Sequence, residues 1–290
     1  MERLGKKNLT LKNTINNNML IRKKYDLPTM HKFQTKKFDI EKLRNEAIEL
    51  ANDYGNVMET NKALCSNNCD LVESVYKHFK QVNLTEFNPE HKAPTLEECR
   101  ELCDTAGTGD HTLTRSQKYK LRTQRTDQLD PALDERNYNK PTENYTGSYF
   151  EEVVKSFKSD AIRVRLVRLD PGKTLTPHID YDTTYAVRVI VPVFAEEEAT
   201  NYFWRRGKEE AYHLKADGSA YFLNIGFAHT VVNSGSTPRI SLMFSLKDQL
   251  DLQEIPEQDW NETNNMGGLS LQNKNYKEHK AFADAQQLAV

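Results

Sequence analysis

From Ile162 onward, apolar and polar positions alternate along the chain: Ile162, Val164 and Leu166 interleave with Arg163 and Arg165, the period-two pattern of a half-buried strand. Pro171-Gly172 marks a turn, and Thr174 to His178 reads as a returning strand. Tyr185 to Val193 is strongly β-branched. Asn201–Arg206 and Glu210–Leu214 form a predicted hairpin around Gly207, and Ala220–Asn224 follows the turn signal Ala216-Asp217-Gly218. His229–Val232 and Arg239–Leu246 complete seven or eight short strands with no helical pattern between them. Such a series predicts a mostly β core, a sandwich or jelly roll.

Upstream the period is helical. Asp39 caps a predicted helix with Ile40, Leu43, Ala47 and Leu50 on one face, ending near Gly55. A second helix is expected from Asp70, with Glu73 at the capping-box position and Leu71, Val75 and Phe79 inward. Thr95 and Glu98 make another capping box and start a helix carrying Cys99 and Cys103. Residues 104–144 are polar and turn-rich, with a basic run at 118–125 that reads as a solvated loop or lid over a site's mouth rather than a nucleic-acid contact. Tyr149–Phe157 is a short amphipathic helix. Four segments result: a flexible basic lead-in (1–37), a helical and irregular N-terminal region (38–145), the β domain (146–250) and a polar acidic tail (251–290).

Composition narrows the class without deciding it. Hydrophobic residues make up 37% and charged residues 28% of the 290, and the net charge of −2 argues against a nucleic-acid or anionic-membrane partner. The charge is uneven: residues 1–40 carry ten Lys/Arg and three Asp/Glu, and 248–290 carry three and eight. The two flanks either dock on each other or on a partner, or are simply solvated. No apolar run is long enough for a membrane span, and Met1 to Lys7 lead into no hydrophobic stretch, so a cytoplasmic protein is expected. Cys65/Cys69 and Cys99/Cys103 are two C-x3-C pairs. Their spacing leaves three readings open: a structural Zn²⁺, disulfides, or small buried thiols.

The chemistry gathers at Pro177-His178-Ile179-Asp180, answered by Phe227-Ala228-His229 and then by Arg239. H-x-D followed by a distant His is the spacing of a facial triad, in which two imidazoles and one carboxylate cover one face of an octahedral Fe(II) and leave positions for substrate and O₂. His178, Asp180 and His229 are therefore the expected metal ligands and catalytic centre. Arg239 can take a carboxylate end-on through two parallel hydrogen bonds, and Ser241, two residues further on the same strand face, offers a hydroxyl.

The run Val167-Arg168-Leu169-Asp170-Pro171-Gly172, then His178-Ile179-Asp180, His229-Thr230-Val231-Val232-Asn233 and Pro238-Arg239, resembles the Fe(II)/2-oxoglutarate-dependent dioxygenases. Within them it is most similar to the aspartyl/asparaginyl β-hydroxylase and cis-proline hydroxylase group, over about Tyr149 to Lys247. The resemblance implies a double-stranded β-helix (cupin-like jelly roll) with Fe(II) at its open end and 2-oxoglutarate as co-substrate. It also implies that Arg239 holds the distal carboxylate and that Arg188 helps bind a carboxylate of 2-oxoglutarate or of the substrate. Arg188 on a barrel exterior remains the alternative. Asp180 favours hydroxylation, since halogenating relatives lack this carboxylate, and it favours the proline-hydroxylase branch over β-hydroxylases that use two histidines alone. Asn233 is expected to form a turn behind the metal site.

Tyr181, Trp204 and Tyr202 are candidates for a substrate wall, with core or surface aromatics as the alternative. Arg205 and Arg206 either attract an acidic substrate or are solvated at a hairpin tip. The expected activity is hydroxylation of an amino acid, free proline or a related small one first, or an Asp, Asn or Pro side chain in a peptide or protein. A non-catalytic cupin-like binding module is the reading from another class.

Overall fold

The computed structural model describes residues 22–56, 79–90, 131–205 and 207–255. The helices expected from Asp70 and around Cys99, all four cysteines, the basic run at 118–125, Arg206 and the tail beyond 255 lie outside the described residues.

In chain order the elements are β1 (Met30–Lys37), α1 (Ile40–Glu49), β2 (Gly55–Asn56), β3 (Phe79–Asn83), β4 (Thr85–Glu86), β5 (Lys140–Pro141) and α2 (Tyr149–Lys155). There follow β6 (Ala161–Leu169), β7 (Lys173–Thr174), β8 (Val187–Phe194), β9 (Ala199–Arg205) and β10 (Lys208–His213). The last three are β11 (Ser219–Leu223), β12 (Ala228–Asn233) and β13 (Arg239–Leu246). They form a seven-stranded sheet in the order β1-β11-β8-β13-β6-β3-β2, a four-stranded sheet β10-β9-β12-β7, and the small pair β4-β5. From β6 to β13 the chain alternates between the two larger sheets, with only the β9–β10 hairpin staying on one. Every pairing is antiparallel. This is the jelly roll, a double-stranded β-helix.

One face of the large sheet packs on the helices. Val164, Leu166, Val187, Val189, Val191, Leu242, Phe244 and Leu246 form the main core with Phe33, Leu43, Ala47, Phe150 and Val153. Asp39 caps α1 as expected, accepting from Glu41 N and Lys42 N. Ser148 caps α2 by accepting from Glu151 N.

Three expectations are corrected. Residues 22–37 of the lead-in are structured, with Leu27 and Phe33 buried and β1 paired along β11. Two core residues in sixteen leave little periodicity to read, yet they suffice when a neighbouring sheet edge supplies the hydrogen bonds. Phe79 lies on β3, not inward on a helix, so the large sheet extends before residue 146. Arg163 and Arg165 do not face solvent: both are buried, because the second face of β6 looks into a cleft between the sheets.

Candidate active site

The cleft lies between the two sheets, about 690 Å³ with its open mouth, and His178, Asp180, His229, Arg188 and Arg239 all line it. His178 and His229 are set side by side by a two-bond bridge, His178 N to His229 O at 3.0 Å and His229 N to His178 O at 2.9 Å. Asp180 N donates to Ile225 O at 3.0 Å, fixing the third residue of the set. One ligand atom from each of the three can be chosen so that all lie within 4.8 Å of one another. His178 Nε2 lies 3.7 Å from Asp180 Oδ1.

Each imidazole is oriented from behind. His178 Nδ1 is 2.7 Å from Thr176 O, and His229 Nδ1 is 3.0 Å from Phe227 O. A carbonyl only accepts, so Nδ1 carries the proton and Nε2 keeps its lone pair for a metal. Phe203 stacks on the His229 ring at 5.7 Å. Burial, then the neighbouring His178, pushes His229 down to about 4, so it is neutral at physiological pH as a ligand must be. Burial alone would raise Asp180, but His178, His229, Arg188 and Arg163 together hold it below the usual carboxylate value. Two imidazoles and an ionised carboxylate on one face suit a ferrous ion.

The cleft has two basic ends. At one, Arg239 at the start of β13 is 3% exposed, and its Nη2 donates to Asn201 Oδ1 at 3.3 Å. No carboxylate among the described residues pairs with it, and burial alone pushes the guanidinium down to about 10. Ser241 sits two residues along the same strand, fully buried, its Oγ without a hydrogen-bond partner among the described residues. At the other end Arg188 on β8 pairs in register with Ser245, six positions beyond Arg239, roughly 20 Å along the strand. Arg188 Nη2 donates to the Tyr181 hydroxyl at 2.8 Å and lies 3.5 Å from Glu135 Oε2.

Arg163 reaches this end through a β-bulge. Met243 pairs with Arg165 and Ser245 with Ile162, so β6 has one residue more than β13 between these pairs. Arg163 takes up the excess at φ 48°, a conformation L-residues avoid, and its guanidinium pairs with Glu135. Backbone conformation of this kind gathers at functional sites.

Of the other candidates, Tyr181 is buried behind Arg188, its hydroxyl also 2.7 Å from Ser245 Oγ. Trp204 does not line the cleft; it packs with Ala228 and Ile179 and donates to Glu209 at 3.0 Å. Its strand position alternates with that of Phe203, which takes the His229 side. Tyr202 packs against the same outer cluster. Arg205 is not a solvated tip: it is buried and donates to Leu27 O and Tyr25 O, pinning the segment before β1. Asn233 ties Leu169 O and Thr237 O together in the turn before Arg239. Sequence reading missed Glu135, Arg163, Arg165, Gln81 and Asn201 on the cleft wall. For Arg163 and Arg165 the alternation was the signal, read toward the wrong surroundings.

Residues 134–249 match the family model described as aspartyl/asparaginyl beta-hydroxylase. The matched segment is about two fifths of the chain and contains the triad and both basic ends of the cleft. No curated protein matches the chain. Among solved structures, a Pseudomonas putida prolyl-4-hydroxylase is similar over 76% of this chain and 92% of its own, at 11% identity and TM-score 0.37. An oxidoreductase of the 2OG-Fe(II) oxygenase family from Burkholderia pseudomallei aligns over 58% and 67%, at 11% identity and TM-score 0.31. Hazelnut (Corylus avellana) vicilin matches 34% of this chain, which spans only 26% of that protein, at 15% identity and TM-score 0.26. At these scores the structural likenesses carry no argument. No helix among the described residues is long and apolar enough to cross a membrane.

Proposed function

We propose that the jelly-roll domain is an Fe(II)/2-oxoglutarate-dependent dioxygenase that hydroxylates an amino acid, with free proline or a related small amino acid as the first substrate class. The observation that carries this is the presence, in one cleft, of the His178–Asp180–His229 set and a buried Arg239 that no carboxylate among the described residues neutralises. An isolated buried cation is costly unless an anion reaches it. The distal carboxylate of 2-oxoglutarate is that anion in this reading, held by Arg239 and by the Ser241 hydroxyl, with Asn201 fixing the guanidinium.

When bound, the iron with 2-oxoglutarate and O₂ supplies an oxidant able to hydroxylate an unactivated C–H bond. The chain's own residues set the geometry. Thr176 and Phe227 carbonyls hold both imidazoles with Nε2 toward the ion. The His178 and His229 imidazoles, then Arg188 and Arg163, hold the Asp180 carboxyl below its usual value, ionised as a ligand must be. Leu175, Ile190, Leu223, Ile225 and Val231 line the cleft and exclude water from the reacting carbon. Arg188, at the end away from Arg239, takes a carboxylate of the substrate. The cytoplasm, with its ferrous iron and 2-oxoglutarate, suits such an enzyme.

A second reading, hydroxylation of an Asp, Asn or Pro side chain within a peptide, is favoured by the description of the matching family.

The test is anaerobic. Fe(II) followed by 2-oxoglutarate is expected to give the weak visible absorption band of the chelate, lost in His178→Ala and needing far more 2-oxoglutarate in Arg239→Ala. Folded wild-type protein without a band would overturn the reading and leave a binding module.

A further inference from the structure

The end of the cleft around Arg188 holds a carboxylate that metal and 2-oxoglutarate binding give no task. We propose that Glu135 is a specificity-determining residue that takes the ammonium of a free α-amino acid, while Arg188 takes its carboxylate. That role rests on the hydroxylase reading and deepens it: the substrate carries a free amino group.

Glu135 is presented by a rigid turn. Its N–H donates to the Tyr185 hydroxyl at 3.1 Å, and the same hydroxyl donates to Asp134 Oδ1 at 2.7 Å. Asp134 is 2% exposed on its side chain and is gripped by the Arg136 guanidinium at 2.6–3.1 Å. The turn is also tied to the bulge of β6, since Arg163 N donates to Tyr138 O. The carboxylate thus projects into the cleft from fixed backbone.

A wall meant only for an anion would be weakened by a carboxylate upon it. Here negative and positive points stand side by side. Glu135 Oε1 meets Arg163; Oε2 meets the Tyr181 hydroxyl at 3.3 Å and Arg188 Nη2 at 3.5 Å. A carboxylate offers about four lone-pair sites, so these contacts leave room for one donor more. Arg188 spends Nη2 on Tyr181 and Glu135, while its Nη1 is buried and without a partner among the described residues. One acceptor site and the Nη1 amino group therefore remain on neighbouring groups of opposite charge, the complement of a zwitterion. An internal peptide residue would bring a neutral N–H and C=O to both positions and leave the charges poorly paired.

The experiment uses the full chain with Fe(II) and 2-oxoglutarate under argon, and reads the shift of the chelate band as amino acids bind. The probes are the twenty L-amino acids and, for each that shifts the band, its N-acetyl derivative. At least one free amino acid is expected to bind, with acetylation weakening it about 100-fold. In Glu135→Gln the free and acetylated forms are expected to bind within tenfold of each other, and Glu135→Asp is expected to restore part of the preference. The chelate band itself, kept in both variants, shows that they fold. Equal binding of both forms by the wild type would overturn the assignment. So would an undiminished preference in Glu135→Gln, or a chelate band that no free amino acid shifts. Absence of the band from the wild type would instead overturn the hydroxylase reading beneath it.

Discussion

The two ends of the cleft are both built on a guanidinium only 3% exposed, yet their surroundings are opposite. Among the described residues Arg239 has one neutral partner, Asn201, and a hydroxyl without a partner nearby. Arg188 is embedded in a network with Tyr181, Ser245 and Glu135. The first end is unsatisfied until an anion arrives and suits one invariant ligand such as a co-substrate. The second is partly satisfied already, so a ligand there must match both signs of charge. Burial alone does not tell a binding arginine from a structural one; the identity of its partners does.

The largest effect is expected where the two ends meet. Asp180→Ala removes the anionic ligand and leaves two imidazoles, so affinity for Mn(II), used as a redox-stable probe in calorimetry, should fall by well over about 100-fold. Hydroxylation at either end's command should be lost with it. Near-normal Mn(II) binding would show that the ion is held elsewhere.

Next come paired substitutions with opposite signs. Arg239→Met should weaken 2-oxoglutarate by about 100-fold or more, since truncating one partner of a buried charge pair costs about 2–5 kcal/mol. The same change should raise the Tm of the ligand-free protein by a few degrees, because it removes a buried cation with no anion beside it among the described residues. Arg188→Met should do the reverse, keeping the chelate band while lowering Tm by a few degrees as Tyr181 and Glu135 lose a donor. Thermal scans with and without 2-oxoglutarate read both signs. A drop in Tm for both variants would erase the distinction between the ends.

Much of this was legible in the sequence. The triad and Arg239 follow from residue types at fixed spacing, and the strands from β6 to β13 from period two and turn residues. Glu135 was not legible: it lies in a polar segment where nothing local separates a cleft residue from a solvated one. Arg163 and Arg165 were visible as the polar half of β6, but alternation reports two faces and not what each faces. Arg22 and Leu27 were hidden because their partners, Leu252 and Ile255 for one and the main core for the other, are more than 100 residues away or scattered along the chain. Trp204, a candidate for the substrate wall with a core position as the alternative, takes the core position: one step of strand phase decides between the cleft and the buried cluster on the sheet's other face.

The smallest effect is a matter of pH, and it separates the ends most cleanly. Burial alone would raise the Asp134 carboxyl, but the Arg136 guanidinium and the Tyr185 hydroxyl bond it and hold it below its usual value. A carboxyl depressed in the folded state contributes stability above its unfolded value near 3.8, and that contribution is lost as pH falls through the folded value. Acid should therefore loosen the turn that presents Glu135. Arg239 behaves oppositely in sign and far away in range: its pKa is lowered to about 10, so its charge costs stability at every pH below that and the cost is relieved only above it. As pH falls below about 3.8, then, Tm should fall partly through Asp134, and Asp134→Asn, already less stable at neutral pH, should show a flatter acid limb. Protection of the Glu135 and Arg136 amides, relative to their intrinsic exchange at each pH, should fall over the same interval while protection along the first half of β13 does not. Uniform loosening of both regions would mean that acid acts on the whole jelly roll, and that the turn has no instability of its own.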